Sequence, residues 1–288
     1  MANAILLISC PDQRGITAAV TGFVFQHNGN ILHADQHIDD QTNTFFMRLE
    51  WAIDGLDVSA EEFARQFQPI ADRFAMRWHL NFPDPAQGEA LPRVAIFVSK
   101  QIHCLYDLLL RQRSGQLACV IPVVISNHPN AAGVAKDFGV SFYEFIVTKE
   151  NKAEQEQKQQ EILRRERVEL IVLARYHQIF SRSFVEQYPD KIINIHHSFL
   201  PAFAGSNPYG RAYERGVKLI GATAHYVTEQ LDEGPIIEQD TTRVSHRDSV
   251  ADMVRKGEDL EKVALSRAVR WHLEMKILRY QNKTVIFD

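Results

Sequence analysis

The sequence predicts an α/β protein of two domains. A ferredoxin-like β-α-β-β-α-β sandwich covers residues 1–82, and after a linker over 83–92 a Rossmann-like domain with a mostly parallel sheet covers 93–288. Three observations predict it. Up to Asn81, alternating and helical apolar patterns follow one another in the split βαβ order. The stretch FPDPAQGEALPR, Phe82 to Arg93, then packs three prolines and a glycine into a segment with almost no apolar periodicity. Beyond it, strands that are apolar throughout alternate with helices, as in a parallel sheet covered on both faces.

Composition narrows the partners. A chain of 288 residues, 45% hydrophobic and 24% charged, can bury a core in each domain. A net charge of −4 gives no electrostatic reason to expect nucleic acid or an anionic membrane, which leaves a small molecule. Cys10, Cys104 and Cys119 are odd in number, form no C-x-x-C pair, and read as reduced thiols of a cytoplasmic protein. No apolar run is long enough to span a bilayer, and Ala4 to Ile8 is too short for a signal peptide.

In the first domain, strand Ala4–Ser9 leads to a helix over Gly15–His27. Asn28-Gly29-Asn30 ends that helix with residues that tolerate a left-handed backbone. Strands Ile31–Asp39 and Thr44–Ala52 are joined by the turn formers Asp39 to Asn43; a helix over Ala60–Ala71 and a strand over Ala75–Asn81 complete the unit. No catalytic constellation is visible there.

In the second domain, RVAIFVS, CVIPVVIS, VSFYEF, ELIVLA and KIINI are the strands, with helices over Cys104–Arg113 and near Ala131–Phe138. The segment KENKAEQEQKQQEILRRERVE, with Glu154 and Lys158 at i,i+4, reads as a solvated outer helix. Ligands of such sheets bind beyond the carboxyl ends of the strands, which gathers Ser99, Ser126, Ala174 and Asn194 around one crevice. The S-x-x-D spacing of Ser245 and Asp248 predicts a capping box opening the last helix. Its apolar stripe is Leu260, Val263, Ala264, Ala268, Trp271, Met275 and Leu278.

Two segments carry groups capable of chemistry. KIINIHHS ends a strand at the crevice, so alternation points Asn194 and His196 the same way while His197 begins the turn. An amide N–H can donate to an oxygen that becomes negative, and an imidazole can carry a proton near neutral pH; the plainer alternative is that both satisfy a turn. In GATAHYVTEQLDEGPIIEQD, a strand carrying His225 precedes Asp232, and Gly234-Pro235 forces a turn. Asp232 is then either a turn former or a carboxylate held over Asn194 and His196. A zinc site on His196, His197, His225 and Asp232 is a further alternative. The first strand of this domain, in VAIFVSKQIHCLYDLL, reaches its helix without a glycine, so it offers no phosphate cradle; His103 stands there, as a satisfied helix-start residue or a crevice group.

INIHHSFLPAF, ATAHYVTEQLDEGPIIEQD, IVLARYHQIFS and EDLEKVALSRAVRWHLE together resemble the formyltetrahydrofolate deformylase family over nearly the whole chain. The N-terminal ISCPDQRGITAAVTGFVFQHNGNILHADQH resembles an ACT domain, whose usual D-R-P-G reads Asp12-Gln13-Arg14-Gly15 here. The resemblance implies a formyltransferase-fold catalytic domain whose N-x-H and L-D-x-G-P motifs make Asn194, His196 and Asp232 the catalytic trio. It implies folate contacts at Tyr176, Gln178, Ile179, His225, Val227 and Gln230, with His177 where the family usually has Met. The related purine-pathway formyltransferases carry a G-x-G-S-N loop for an amine phosphate; this chain has Ser99-Lys100-Gln101 in that region, which implies water as acceptor. The implied reaction is hydrolysis of 10-formyltetrahydrofolate to formate and tetrahydrofolate with no metal and no cofactor, supplying formate for one-carbon and purine metabolism and balancing the folate pool. The ACT resemblance implies homo-oligomers and an amino-acid effector, such as glycine or methionine, at Asp12, Gly15 and Asn30.

Overall fold

The computed structural model describes residues 3–53, 58–83, 90–201 and 208–288. The centre of the linker and Ala202-Phe203 of the INIHHSFLPAF motif lie outside the described residues. The chain divides into two compact units: Met1–Ala90 with Met275–Leu278 and Val285–Asp288, and Leu91–Glu274 with Arg279–Thr284.

The first unit runs β1 (Asn3–Pro11), α1 (Ile16–Gln26), β2 (Asn30–Asp39), β3 (Thr44–Ala52), α2 (Ala60–Arg73), β4 (Arg77–Asn81). The sheet is antiparallel in the order β2-β3-β1-β4, as the βαββαβ reading requires. Its core joins Leu6, Ile8, Met47 and Leu49 to the aromatic cluster of Phe23, Trp51, Phe63 and Phe67. Phe63 stacks on Trp51 at 5.2 Å and meets Phe23 edge-on at 4.9 Å. Asp39 Oδ1 closes the hairpin by accepting from Gln41 N (2.9 Å) and Thr42 N (3.3 Å). The last strand starts at Arg77 rather than Ala75, because Ala75 adopts φ 52 in the turn that ends α2.

The second unit runs β5 (Arg93–Val98), α3 (His103–Arg113), β6 (Val120–Ser126), α4 (Ala132–Phe138), β7 (Ser141–Glu144), α5 (Lys152–Arg165), β8 (Leu170–Ala174), α6 (Arg182–Val185), β9 (Ile192–His196), α7 (Pro208–Arg215), β10 (Leu219–Tyr226), β11 (Ile236–Arg243) and α8 (Val250–Leu273). A short hairpin, β12 (Ile277–Tyr280) and β13 (Lys283–Ile286), ends the chain. The sheet order is β11-β10-β9-β8-β5-β6-β7, parallel from β9 to β7, with β10 and β11 antiparallel at one side. Every residue of the central β8 is buried, which is why it reads as an unbroken apolar run.

Three expectations are corrected. Ser245 and Asp248 do not open α8: Asp248 Oδ2 accepts from Ser245 N (2.7 Å) and its Oδ1 pairs with Lys256 Nζ (2.8 Å), closing a turn. The capping box belongs to the next S-x-x-D, Ser249 and Asp252. The buried face of α8 is Met253, Gly257, Glu261, Ala264, Leu265 and Ala268; Met275 and Leu278 lie beyond its end at Leu273. The polar α5 also has an inner face, where buried Glu156 accepts from Ser181 N (2.8 Å) and from the Ser181 hydroxyl.

The return from β10 to β11 is where fold and site meet. A Cβ at Gly234 would lie 1.7 Å from Tyr226 O, so only glycine lets the loop pass this close to the strand. Gly234→Ala should destabilise the protein by about 1–3 kcal/mol in urea denaturation, since overpacking against backbone finds little room to relax. An unchanged midpoint would contradict the close approach.

Candidate active site

β9 ends at His196, and the pleat puts Asn194 and His196 on one face at the carboxyl end of the sheet. The antiparallel β10 sets His225 opposite Asn194. From Tyr226 the chain leaves the sheet and returns at Pro235, and Asp232 sits on that excursion in the left-handed region (φ 57), a conformation aspartate tolerates. The three side chains thus meet because Asn194 and His196 share one face of β9, β10 sets His225 beside them, and the loop after β10 turns back to bring Asp232 against His196.

The hydrogen bonds define their orientations. His225 Nδ1 lies 2.9 Å from Tyr226 O, a group that only accepts, so Nδ1 carries the proton. His225 Nε2 is then able to accept from Asn194 Nδ2 at 3.2 Å, which fixes the Asn194 amide and leaves its second N–H without a partner among the described residues. His196 Nδ1 is 3.2 Å from Asp232 Oδ2, whose other oxygen is 3.7 Å from His225 Nε2. His196 Nε2 is buried and has no hydrogen-bond partner among the described residues.

Burial works against ionisation of Asp232, but the hydrogen bond from His196 outweighs it and holds the carboxyl well below the usual range. His197 stacks on His196 at 5.0 Å. Burial, helped by the Arg175 charge, pushes its imidazole down to about 3, so it is neutral at physiological pH.

These groups form the polar end of a cleft of about 330 Å³. Leu173, Ile179, Val185 and Val227 supply apolar walls, and Tyr176, Gln178, His225 and Gln230 line it as well. An apolar cleft with a few convergent polar groups suits a largely apolar ligand with one reacting centre. The expected trio and folate contacts therefore surround one cavity. Asp12, Gly15 and Asn30 lie in the other unit: Asp12 N donates to Asn43 O (2.9 Å), Gly15 has φ 92 at the start of α1, and Asn30 is exposed at the head of β2.

The sequence reading does not anticipate the buried cluster behind the site. Glu261, 1% exposed, pairs with His103 Nε2 (2.8 Å), Arg175 Nε (3.4 Å) and the Tyr209 hydroxyl (3.2 Å). His103 is thus a satisfied helix-start residue facing inward. The strand-end rule points to Arg175, directly after Ala174, whereas Glu261 shows in the sequence only as a polar break in the apolar period of α8. At the end of β5, Ser99 Oγ donates to Asn127 Oδ1 (2.6 Å) and accepts from His177 N (3.1 Å), so side chains bridge the place where a phosphate cradle would stand.

The zinc alternative gains no support from geometry. Among the described residues, the metal-capable donors that lie within 4.8 Å of one another are His103, Cys104 and Glu261, not the His196 set. There the Arg175 guanidinium already faces Glu261, and burial holds the Cys104 thiol protonated.

Residues 92–269 match the Formyl transferase family and residues 4–63 the ACT domain family. The fold and sequence therefore define a two-unit protein of the ACT and formyl transferase class. A formyltetrahydrofolate deformylase from a Synechocystis species is 54% identical over 99% of this chain and 98% of its own length. The crystal structure of a formyltetrahydrofolate deformylase from Pseudomonas syringae pv. tomato matches with a TM-score of 0.94 and 44% identity, over 99% of this chain and 94% of that one. A glycinamide ribonucleotide transformylase 1 from Symbiobacterium toebii matches 69% of this chain and 95% of its own at 29% identity, with a TM-score of 0.65. The chain belongs to the formyltetrahydrofolate deformylase family.

Two buried imidazoles make stability depend on pH. His197 is pushed down to about 3 and His272, bonded to the Tyr226 hydroxyl at 2.8 Å, to about 4, both chiefly by burial and from an ordinary value of 6.5. Below that ordinary value the unfolded chain binds protons that the folded chain refuses, so stability falls with falling pH. Urea denaturation should show a loss of roughly 2 kcal/mol for each histidine, about 4 kcal/mol in all, between about pH 7 and pH 5, and His272→Gln should remove about half of that slope. Equal stability at both pH values would contradict the buried neutral histidines.

Proposed function

We propose that the protein hydrolyses 10-formyltetrahydrofolate to formate and tetrahydrofolate, a hydrolase acting on a linear amide C–N bond, with Asn194, His196 and Asp232 as the catalytic trio and no metal. The observation that carries the reading is the pairing of His196 Nδ1 with Asp232 Oδ2 at 3.2 Å, in a residue that lines the cleft and whose buried Nε2 has no partner among the described residues. With its Nδ1 proton held by the carboxylate, neutral His196 presents a lone pair to water.

In this mechanism His196 Nε2 takes a proton from water as the oxygen attacks the formyl carbon. Ionised Asp232 stabilises the resulting imidazolium, and the free Asn194 N–H donates to the oxyanion. Collapse breaks the C–N bond, the imidazolium returns its proton to N10, and formate and tetrahydrofolate leave. His225 keeps the Asn194 amide turned the right way. Tyr176, Gln178, Ile179, Val227 and Gln230 hold the folate along the cleft. The Ser99–Asn127–His177 bridge supports water as the acceptor, because it leaves no cradle for a phosphate-bearing amine. Formate so released supplies one-carbon and purine metabolism and balances the folate pool. Among the described residues no helix is long and apolar enough to cross a membrane, and three buried unpaired thiols suit a reducing cytoplasm.

Asp232→Asn and His196→Ala should each lower kcat for formate release about a hundredfold or more, with folding and KM little changed, the scale usual for lost acid–base and oxyanion groups. Chelation of the wild type should leave its rate unchanged. A folded variant at near-normal rate would refute the trio.

One feature of the first unit supports regulation as well. α1 begins after Gly15 with no side-chain cap, so its first amides are open to a carboxylate. An amino acid such as glycine or methionine would sit between the Asp12–Gly15 turn and Asn30 of a neighbouring chain, in a homo-oligomer formed through strand edges such as β2. Asn30→Ala should weaken the response of formate release to the amino acid while leaving the basal rate unchanged. A wild-type response in that variant would place the site elsewhere.

A further inference from the structure

We propose that Glu261 is a positioning residue for hydrolysis: a buried carboxylate that holds the Arg175 guanidinium and the Tyr209 hydroxyl behind His197, and so fixes the His197 ring against His196. The inference rests on the reading of Asn194, His196 and Asp232 as the reacting trio.

An ionised carboxylate on the buried face of α8 is costly, and apolar residues occupy most of that face. Hydrophobic packing alone would favour another leucine there. Glu261 is instead met by groups from four elements: His103 and Cys104 of α3, Arg175 after β8, His197 after β9, and Tyr209 of α7, with Glu258 beside it on α8. Burial opposes its charge, but the His103 hydrogen bond and the Arg175 charge hold the carboxyl below its ordinary value. The helix is shaped for this arrangement. At Gly257, one turn before Glu261, a Cβ would lie 1.8 Å from the Tyr209 hydroxyl, so glycine is what admits that ring. From Tyr209 the chain of contacts continues to His197 at 6.2 Å between rings, and from His197 to His196 at 5.0 Å.

The Arg175 Nε makes no hydrogen bond among the described residues and faces Glu261 Oε2 at 3.4 Å, so charge rather than a directed bond retains it. Glu261 therefore has two effects on the reacting imidazole. Through Tyr209 it supports the ring stacked on His196, and by balancing Arg175 it lets a second positive charge form nearby when His196 takes its proton. Without it an unpaired guanidinium would disfavour that imidazolium.

The test is Glu261→Gln, which keeps the shape and removes the charge, with Asp232→Asn run in the same assay. Glu261→Gln should lower kcat by about tenfold to a hundredfold and leave KM within about threefold, as for loss of a group acting only in the transition state. The acid limb of its kcat profile should move to lower pH, because the unbalanced cation resists protonation nearby; a merely structural role would leave that limb in place. Removing both charges, in Arg175→Met with Glu261→Met, should return the limb to its wild-type position. A folded Glu261→Gln variant with wild-type kcat and pH profile would overturn the proposal, as would a lowered kcat with an unmoved limb. If Glu261→Gln does not fold, Tyr209→Phe decides: kcat reduced about threefold to tenfold at unchanged KM supports the proposal, and unchanged kcat overturns it. Should Asp232→Asn remain active, the trio reading itself has failed; should it be inactive while Glu261→Gln behaves as wild type, only the role of Glu261 has.

Discussion

The pairing of Asp232 with His196 is the contact on which the rest of the site depends. It joins a loop to the end of β9, and it forms because the chain, after leaving β10 at Tyr226, turns back toward His196 before rejoining the sheet in β11. Gly234 pressed against Tyr226 O and Asp232 in a left-handed conformation are the local costs of that turn. In return the imidazole keeps its Nδ1 proton and is left with a buried Nε2 that has no hydrogen-bond partner among the described residues. The same hydrogen bond from His196 keeps the carboxylate ionised across the physiological range.

Around that contact the second unit concentrates the polar groups that its apolar sheet otherwise excludes. His225 is anchored by a backbone carbonyl and in turn anchors Asn194; His197 is kept neutral by burial; Glu261 and Arg175 balance each other beneath it. Groups of this kind are costly in a core unless each is paired, and most of these are. His196 Nε2, without a partner among the described residues, departs from that rule.

Much of this was legible in the sequence for specific reasons. The βαββαβ order was readable because strands and helices of the first unit carry clean periodicities bounded by Asn28 and by Asp39 to Asn43, residues that the structure uses for those turns. Asn194 and His196 could be placed on one face because a pleat alternates, and the crevice could be placed because parallel sheets bind at their carboxyl ends. What pattern could not decide was which of two S-x-x-D spacings would cap α8, since both offer the same local chemistry and only packing separates them. Nor could it find the Glu261 cluster. A charged residue inside an apolar stripe reads as a flaw in the stripe until His103, Arg175 and Tyr209 arrive from elements far along the chain.

Transfer of the formyl group to water is the reaction proposed at this site. It is tested most directly by supplying the purified protein with 10-formyltetrahydrofolate in ¹⁸O-labelled water, without any amine. Hydrolysis predicts formate and tetrahydrofolate in equal amounts, with one solvent oxygen in each formate. Absence of formate until an amine is added, with the formyl group then recovered on that amine, would contradict it.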